Sequence, residues 1–185
     1  SWADHETRLF RAHLEPGCRV VDLGANIGWF AVQAVLAGAQ VHAFEPVPAI
    51  AEVCERNVQR AQEHARNADA NSSGKCSVYR IAAGATRGTA RIALATTNFG
   101  DNRVLDASGQ RPADMGGGEE IEIAVAPVDE FVRGPVRFLK VDTQGSEWLA
   151  LQGARRLLAA SPQLALLIEL WPYALRGATA EQLLA

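Results

Sequence analysis

Apolar residues along the chain recur in two rhythms, short runs that suit buried strands and three-to-four spacings that suit helices, and the two alternate from end to end. Residues 4–14 (DHETRLFRAHL) read as an amphipathic helix stopped by Pro16-Gly17. Residues 18–23 (CRVVDL) are a short apolar strand that turns at Gly24 and enters a helix over 27–36. That helix is apolar nearly all round, as a helix pressed onto a sheet should be. Gln40–Phe44 (QVHAF) is a second strand. Pro48 then sits where a first-turn proline belongs, and Ile50, Val53, Cys54 and Val58 follow at helical spacing. After the polar stretch 67–74, residues 76–81 form a third strand, and 89–95 (TARIALA) alternate like a half-exposed one.

Residues 96–120 are long, polar and glycine-rich, and are expected to be a lid, a binding loop or a mobile connection. Residues 121–125 (IEIAV) alternate again and pair with 89–95 in the expected arrangement. Residues 138–141 read as a central strand, 147–158 as one helix and 164–170 (LALLIEL) as another buried strand. Strands that alternate with helices in this way build a mostly parallel sheet covered on both faces.

Composition narrows the setting. At 185 residues the chain fits a single domain over 1–185. A net charge of −3 gives no broad basic face, so nucleic acid is not an expected partner. No apolar run approaches the roughly twenty residues of a membrane span, and no signal peptide is visible. Cys18, Cys54 and Cys76 form no CxxC pair, which reads as reduced thiols in a cytoplasmic protein. The four histidines (His5, His13, His42 and His64) have no metal-ligand spacing, so no metal site is expected. The oligomeric state is not legible.

The strongest chemical signal is VVDLGANIG (20–28), at a strand-to-helix junction. Gly24 lets the chain turn without a Cβ clash, and the helix that follows offers unpaired N–H groups to a ligand. A dinucleotide fingerprint would place glycines where Asn26 and Trp29 stand, and a phosphate loop would need Gly-Lys-Ser/Thr. What remains is Asp-x-Gly-x-x-x-Gly, with an acid before the turn. A carboxylate there is unwelcome beside a pyrophosphate and suits the ammonium group of a bound amino acid. The second strand ends in Phe44-Glu45-Pro46, where a carboxylate is placed to accept both ribose hydroxyls. One acid for an amino-acid end and one for a ribose describe S-adenosyl-L-methionine. Taken singly, Asp22 is a helix cap and Glu45 a strand-end charge; jointly they favour the cofactor.

These stretches, with FLKVDTQGSEWLALQGA (138–154), resemble the FkbM-type methyltransferases over most of the chain. The resemblance implies a Rossmann-like α/β fold with an inserted β-hairpin and long loop. It implies that Asp22, Gly24, Asn26 and Gly28, with Ala25 in the same loop, contact the methionine part of the cofactor. It sets Glu45 on the ribose, flanked by Phe44 and Pro46, and Ala82 and Ala83 near the adenine. Two departures stand out. Gln144 occupies a place where the family more usually has an acid, and Ala185 is reached before the closing strand pair of such a fold. Either that pair lies beyond residue 185 or the sheet is shortened.

Lys140 and Asp142 are unexpected in a central strand, and their spacing points them to one face. A structural ion pair, Lys140 with Asp142 or Glu169, balances a functional role for Lys140. Asp142, at the carboxyl end of its strand, is the expected catalytic carboxylate. Glu147 is read as helix N-terminal electrostatics. Trp171-Pro172-Tyr173 reads equally as a pocket wall or as an aromatic cover.

The function expected is methyl transfer to a hydroxyl of a small-molecule or carbohydrate acceptor. Two rivals remain. A nicotinamide-dependent oxidoreductase is opposed by Asn26 and Trp29. A catalytically degenerate binding domain is opposed by the joint presence of Asp22, Glu45 and Asp142.

Overall fold

The computed structural model describes residues 2–69, 74–95, 100–105, 118–171 and 174–184. Along the chain run α1 (Trp2–Ala12), β1 (Arg19–Leu23), α2 (Trp29–Leu36), β2 (Gln40–Phe44), α3 (Pro48–Ala68) and β3 (Lys75–Tyr79). Then come β4 (Ala82–Ala83), β5 (Gly88–Ala93), β6 (Arg103–Val104), β7 (Glu120–Ala126) and a 3-10 turn (Val128–Glu130). The last elements are β8 (Phe138–Val141), α4 (Glu147–Gln152), α5 (Arg155–Ala159), β9 (Ala165–Ile168) and α6 (Ala180–Leu184).

Five strands in the order β3-β2-β1-β8-β9 form a sheet in which every pairing is parallel. Side-chain alternation sends Val20, Val41, Ala43 and Phe138 to one face, where Phe10 of α1, Ala31, Ala34 and Val35 of α2 and Cys54 and Val58 of α3 cover them. Val21, Leu23, Phe44, Leu139 and Val141 point the other way, onto Val128, Ala150 of α4, Ala154 at the N-cap of α5 and Leu157 within it. Both faces of the central strands β1 and β8 are therefore dry, which is why they read as near-continuous apolar runs. The strand expected to be buried over 164–170 is instead the half-exposed edge strand β9, with Leu166 46% exposed. The fold is α/β and Rossmann-like, as expected.

A second sheet, in the order β4-β7-β5-β6, carries the inserted hairpin, with β5 and β7 antiparallel from Gly88↔Val125 to Ala93↔Glu120. Ile92 and Ile123 seal it against Val47 and Ile50 at the start of α3.

Four expectations change in detail. The helix expected over 27–36 begins at Trp29, because Gly28 caps it in the left-handed region. The third strand ends at Tyr79, and Ala82–Ala83 pair with β7 instead. The long loop holds a two-residue strand, since Leu105 packs with Ala93 and draws Arg103–Val104 onto β5. Residues 96–99 and 106–117 of that loop lie outside the described residues. The single helix expected over 147–158 is two, because Gly153 passes too close to the Gly84 carbonyl for any side chain. Asp129 then caps the second, its carboxylate accepting from the N–H groups of Arg156 and Leu157 at 2.8 and 2.9 Å.

Among the described residues β9 is the sheet edge on that side, and no described helix is long and apolar enough to cross a membrane.

Candidate active site

The chain leaves β1 in one direction for β2 and β3, and returns on its other side for β8 and β9. The carboxyl ends of β1 and β8 therefore part around a crevice, the place where open α/β sheets hold their ligands. Gly24 forms the floor of it. Its φ of 76° is left-handed, and a Cβ there would run into the Asp142 carbonyl oxygen. So this glycine is required by the approach of the β8 end, whatever else approaches it.

Beyond Gly24 the turn bends again at Asn26, with φ 51°. Glu45 holds that bend: its Oε2 accepts from Asn26 N–H and its Oε1 from Val47 N–H, both at 3.0 Å. Glu45 is 6% exposed. Burial pushes its carboxyl upward, opposed by those two N–H donors. The acid at the end of β2 thus ties the β1–α2 turn to the start of α3.

A cavity of about 280 Å³ opens over these strand ends. Its walls include Gly24, Asn26, Phe44, Glu45 and Pro46 on one side, Ala82, Ala83 and Gly84 on another, and Asp142, Thr143 and Gln144 opposite. The inserted sheet closes it with Thr89, Ala90, Asn102 and Val104, and Arg176 stands at its edge.

Behind the cavity lies a buried charge cluster. Lys140 Nζ is 3.4 Å from Asp22 Oδ1 and 3.3 Å from Asp142 Oδ2, and donates to the Gly24 carbonyl at 3.3 Å. The ring of Phe30 covers the ammonium at 5.1 Å. Burial works to lower the Lys140 pKa, but the Asp22 and Asp142 carboxylates outweigh it and hold the group above its ordinary value. Asp22 is 1% exposed, and burial raises its carboxyl even with Lys140 alongside. Neither Asp22 oxygen has a hydrogen bond of good geometry, so Lys140 is held to it by charge and proximity. Burial also works to raise Asp142, but Lys140, Glu169 and Gln144 together bring it below its ordinary value.

The turn after β8 is built to present Asp142. Glu147, 1% exposed, accepts through Oε1 from Thr143 N–H at 3.0 Å, Gly145 N–H at 2.9 Å and the Thr143 hydroxyl at 3.1 Å. It is a loop clamp as well as the acid in the first turn of α4. Gly145 is needed there, since a Cβ would meet the Ala174 carbonyl.

Of the residues singled out in the sequence, Gly24, Asn26, Phe44, Glu45, Pro46, Ala82, Ala83 and Asp142 line the cavity together. Asp22, Ala25, Gly28 and Lys140 are not in its wall. Asp22 and Lys140 lie behind it as an ion pair, Ala25 is 5% exposed in the core, and Gly28 packs against Cys54. Trp171 turns its indole N–H to Glu169 at 3.1 Å, and its two neighbours lie outside the described residues. His42 is a packed residue, bonded to the Tyr79 hydroxyl and stacked on its ring. Sequence reasoning missed Thr89, Asn102 and Arg176, which carry no motif. It also missed the bridge from Gln144 to Glu169, although Gln144 in an acid's usual place was a visible sign of it.

Against known families, the model of the methyltransferase FkbM domain matches residues 22–174. The chain belongs to the FkbM methyltransferase family. The matched span begins at Asp22 and includes every cavity residue named above except Arg176. Among solved structures, this FkbM-family chain is similar to methyltransferase FkbM from Methylobacillus flagellatus KT, with 24% identity and a TM-score of 0.52. The match covers 81% of this chain and 32% of that one, so the chain spans about a third of its length. A likeness to an rRNA methylase from Streptococcus thermophilus has 12% identity over 89% of this chain and 69% of that one, with a TM-score of 0.46. No curated protein matches.

Proposed function

We propose that this domain binds S-adenosyl-L-methionine in the cavity over β1 and β2, and transfers its methyl group to a hydroxyl of a small-molecule or carbohydrate acceptor. The observation that carries the reading is that one cavity joins Glu45, the glycine turn at Gly24 and Asp142.

The donor set suits that cofactor. Each Glu45 oxygen accepts one backbone N–H and has a further lone pair for a ribose hydroxyl. Ala82, Ala83 and Gly84 leave room for a flat base beside Pro46. Asp142 supplies negative charge where a sulfonium and an ammonium would lie. The cofactor, when bound, supplies an activated methyl carbon on positively charged sulfur.

The protein's share is position and proton handling. Holding an acceptor hydroxyl in line with the methyl carbon is worth roughly 7–11 kcal/mol in favourable cases. Asp142, with its carboxyl below the ordinary value and oriented by Lys140 and Gln144, accepts the hydroxyl proton as the new bond forms. The inserted sheet excludes water from one side.

The lining supports a neutral, hydroxyl-rich acceptor. Among the described wall residues only Glu45, Asp142 and Arg176 are charged, while Thr86, Thr89, Asn102, Thr143, Gln144 and Ser146 offer hydroxyls and amides. The net charge of −3 opposes a nucleic-acid acceptor. Incubation with methyl-labelled S-adenosylmethionine and fractionated metabolites, glycans and RNA tests this. Label in an alkali-stable ether of a small molecule or sugar is the expected result; label in RNA, or on nitrogen, would overturn it.

A further inference from the structure

Glu169 follows β9 by one residue and lies outside the cavity wall, yet it is tied to Asp142. Its backbone N–H donates to the Val141 carbonyl at 2.9 Å, which extends the β8–β9 pairing and brings the two side chains level at neighbouring strand ends. The Gln144 amide nitrogen then donates both ways, to Asp142 Oδ1 at 2.8 Å and to Glu169 Oε2 at 2.9 Å. The other Glu169 oxygen accepts from the Trp171 indole at 3.1 Å. Gln144 makes this bridge from a left-handed backbone at φ 51°, a conformation that disfavours a side chain and is held here by the Glu147 clamp. An acid in this place would set a third carboxylate against the other two.

The charges around the pair favour retention of one proton. Lys140 is the cation bonded within the cluster, and it faces Asp22 from β1 and the far oxygen of Asp142. Glu147 under the turn is a further acid. Arg103, on the outer side of Trp171, is paired with Asp101. Two carboxylates are bridged by one amide, and among the described residues Lys140 is bonded to Asp142 and not to Glu169, so a shared proton settles on the member far from that cation. In keeping with this, the hydrogen bond with Asp142 first, and then burial, push Glu169 up to about 7.

We propose that Asp142 and Glu169 act as one carboxyl pair with a shared proton, Asp142 facing the acceptor and Glu169 passing the proton to solvent. The proposal rests on the reading of Asp142 as the base. During transfer the acceptor O–H bond breaks and its proton goes to Asp142, the oxygen–methyl bond forms, and the carbon–sulfur bond breaks with its electron pair left on sulfur. Glu169, half-exposed beside Trp171, releases its proton to water and takes up the one on Asp142, which restores the starting pair. Glu169 is thus a positioning residue that resets the base.

Carbon-13 carboxyl labelling of Asp and Glu, followed by NMR titration of the whole chain without cofactor or acceptor, tests the pair directly. In the parent protein the Glu169 signal is expected to inflect near 7, with the Asp142 signal responding at the same pH. In Asp142→Asn the Glu169 inflection should fall by about one pH unit or more toward the ordinary carboxyl range. In Glu169→Gln the Asp142 response near neutrality should vanish. A Glu169 inflection that is the same in Asp142→Asn as in the parent would overturn the proposal. The base reading is judged separately: if Asp142→Asn loses methyl transfer but Glu169 of the parent already titrates as an isolated carboxyl, the base survives and the shared pair falls. If coupling is seen and Asp142→Asn transfers at full rate, the base falls, and the proton route with it.

Discussion

Replacing Lys140 with methionine keeps the bulk of the side chain, deletes its charge and leaves Asp22, 1% exposed, without its ion-pair partner. At the observed 3.4 Å the gross attraction of the pair is about 5 kcal/mol for an effective dielectric of 20. Desolvation of both ions cancels much of it, so the pair's net worth is far smaller. Breaking the pair differs from never having it, because one charge stays behind; such losses run to roughly 3–5 kcal/mol. Here the loss has a ceiling, since Asp22 can take up a proton. Keeping neutral at pH 7 a carboxyl whose ordinary value is 3.8 costs about 4 kcal/mol, and at pH 5 about 1.6 kcal/mol. The sign follows from linkage. Without Lys140 the folded-state value of Asp22 rises further above the unfolded one, so the folded variant binds more protons and loses stability as pH rises. Urea unfolding of both proteins at pH 5 and pH 7 should show a deficit of about 3–4 kcal/mol at pH 7 that shrinks to about 1–2 kcal/mol at pH 5. A deficit below about 1 kcal/mol at pH 7, or one equal at both pH values, would refute the buried pair.

Asp142→Asn should lower single-turnover methyl transfer about a hundredfold with the melting temperature little changed, because Lys140 keeps Asp22 as a partner; early melting with normal turnover would make Asp142 structural. Gly24→Ala should cost roughly 2–5 kcal/mol, from the left-handed backbone and the collision with the Asp142 carbonyl, and a parental urea midpoint would contradict the close approach. Glu169→Gln should gain stability relative to the parent as pH rises from the ordinary carboxyl range through about 7, since the parent's raised carboxyl must lose its proton over that window. A stability difference that does not change with pH would count against it.

The centre of the sheet was legible because β1 and β8 are buried on both faces, as the runs at Val20-Val21 and Phe138-Leu139 show. Boundaries slipped where one position decided the matter, as at the left-handed Gly28 against the Cys54 side chain and at Gly153 against the Gly84 carbonyl, partners distant in sequence. The cavity's strand-end residues were legible because turn glycines and terminal acids make a local pattern. From its place before the turn, Asp22 reads as a ligand contact. Its burial depends on Lys140, which arrives from a strand far along the chain, and no local pattern reveals such a partner. The walls supplied by the inserted sheet stayed hidden for the same reason.

Calorimetric titration with S-adenosylhomocysteine tests most directly whether the cavity between Glu45 and Asp142 holds the proposed S-adenosylmethionine. One molecule should bind per chain, and Glu45→Ala should weaken binding by about 1–3 kcal/mol, the cost of losing a buried acceptor for the ribose hydroxyls. No heat with S-adenosylhomocysteine alongside saturable binding of NAD, or equal affinity in the folded Glu45→Ala variant, would contradict it.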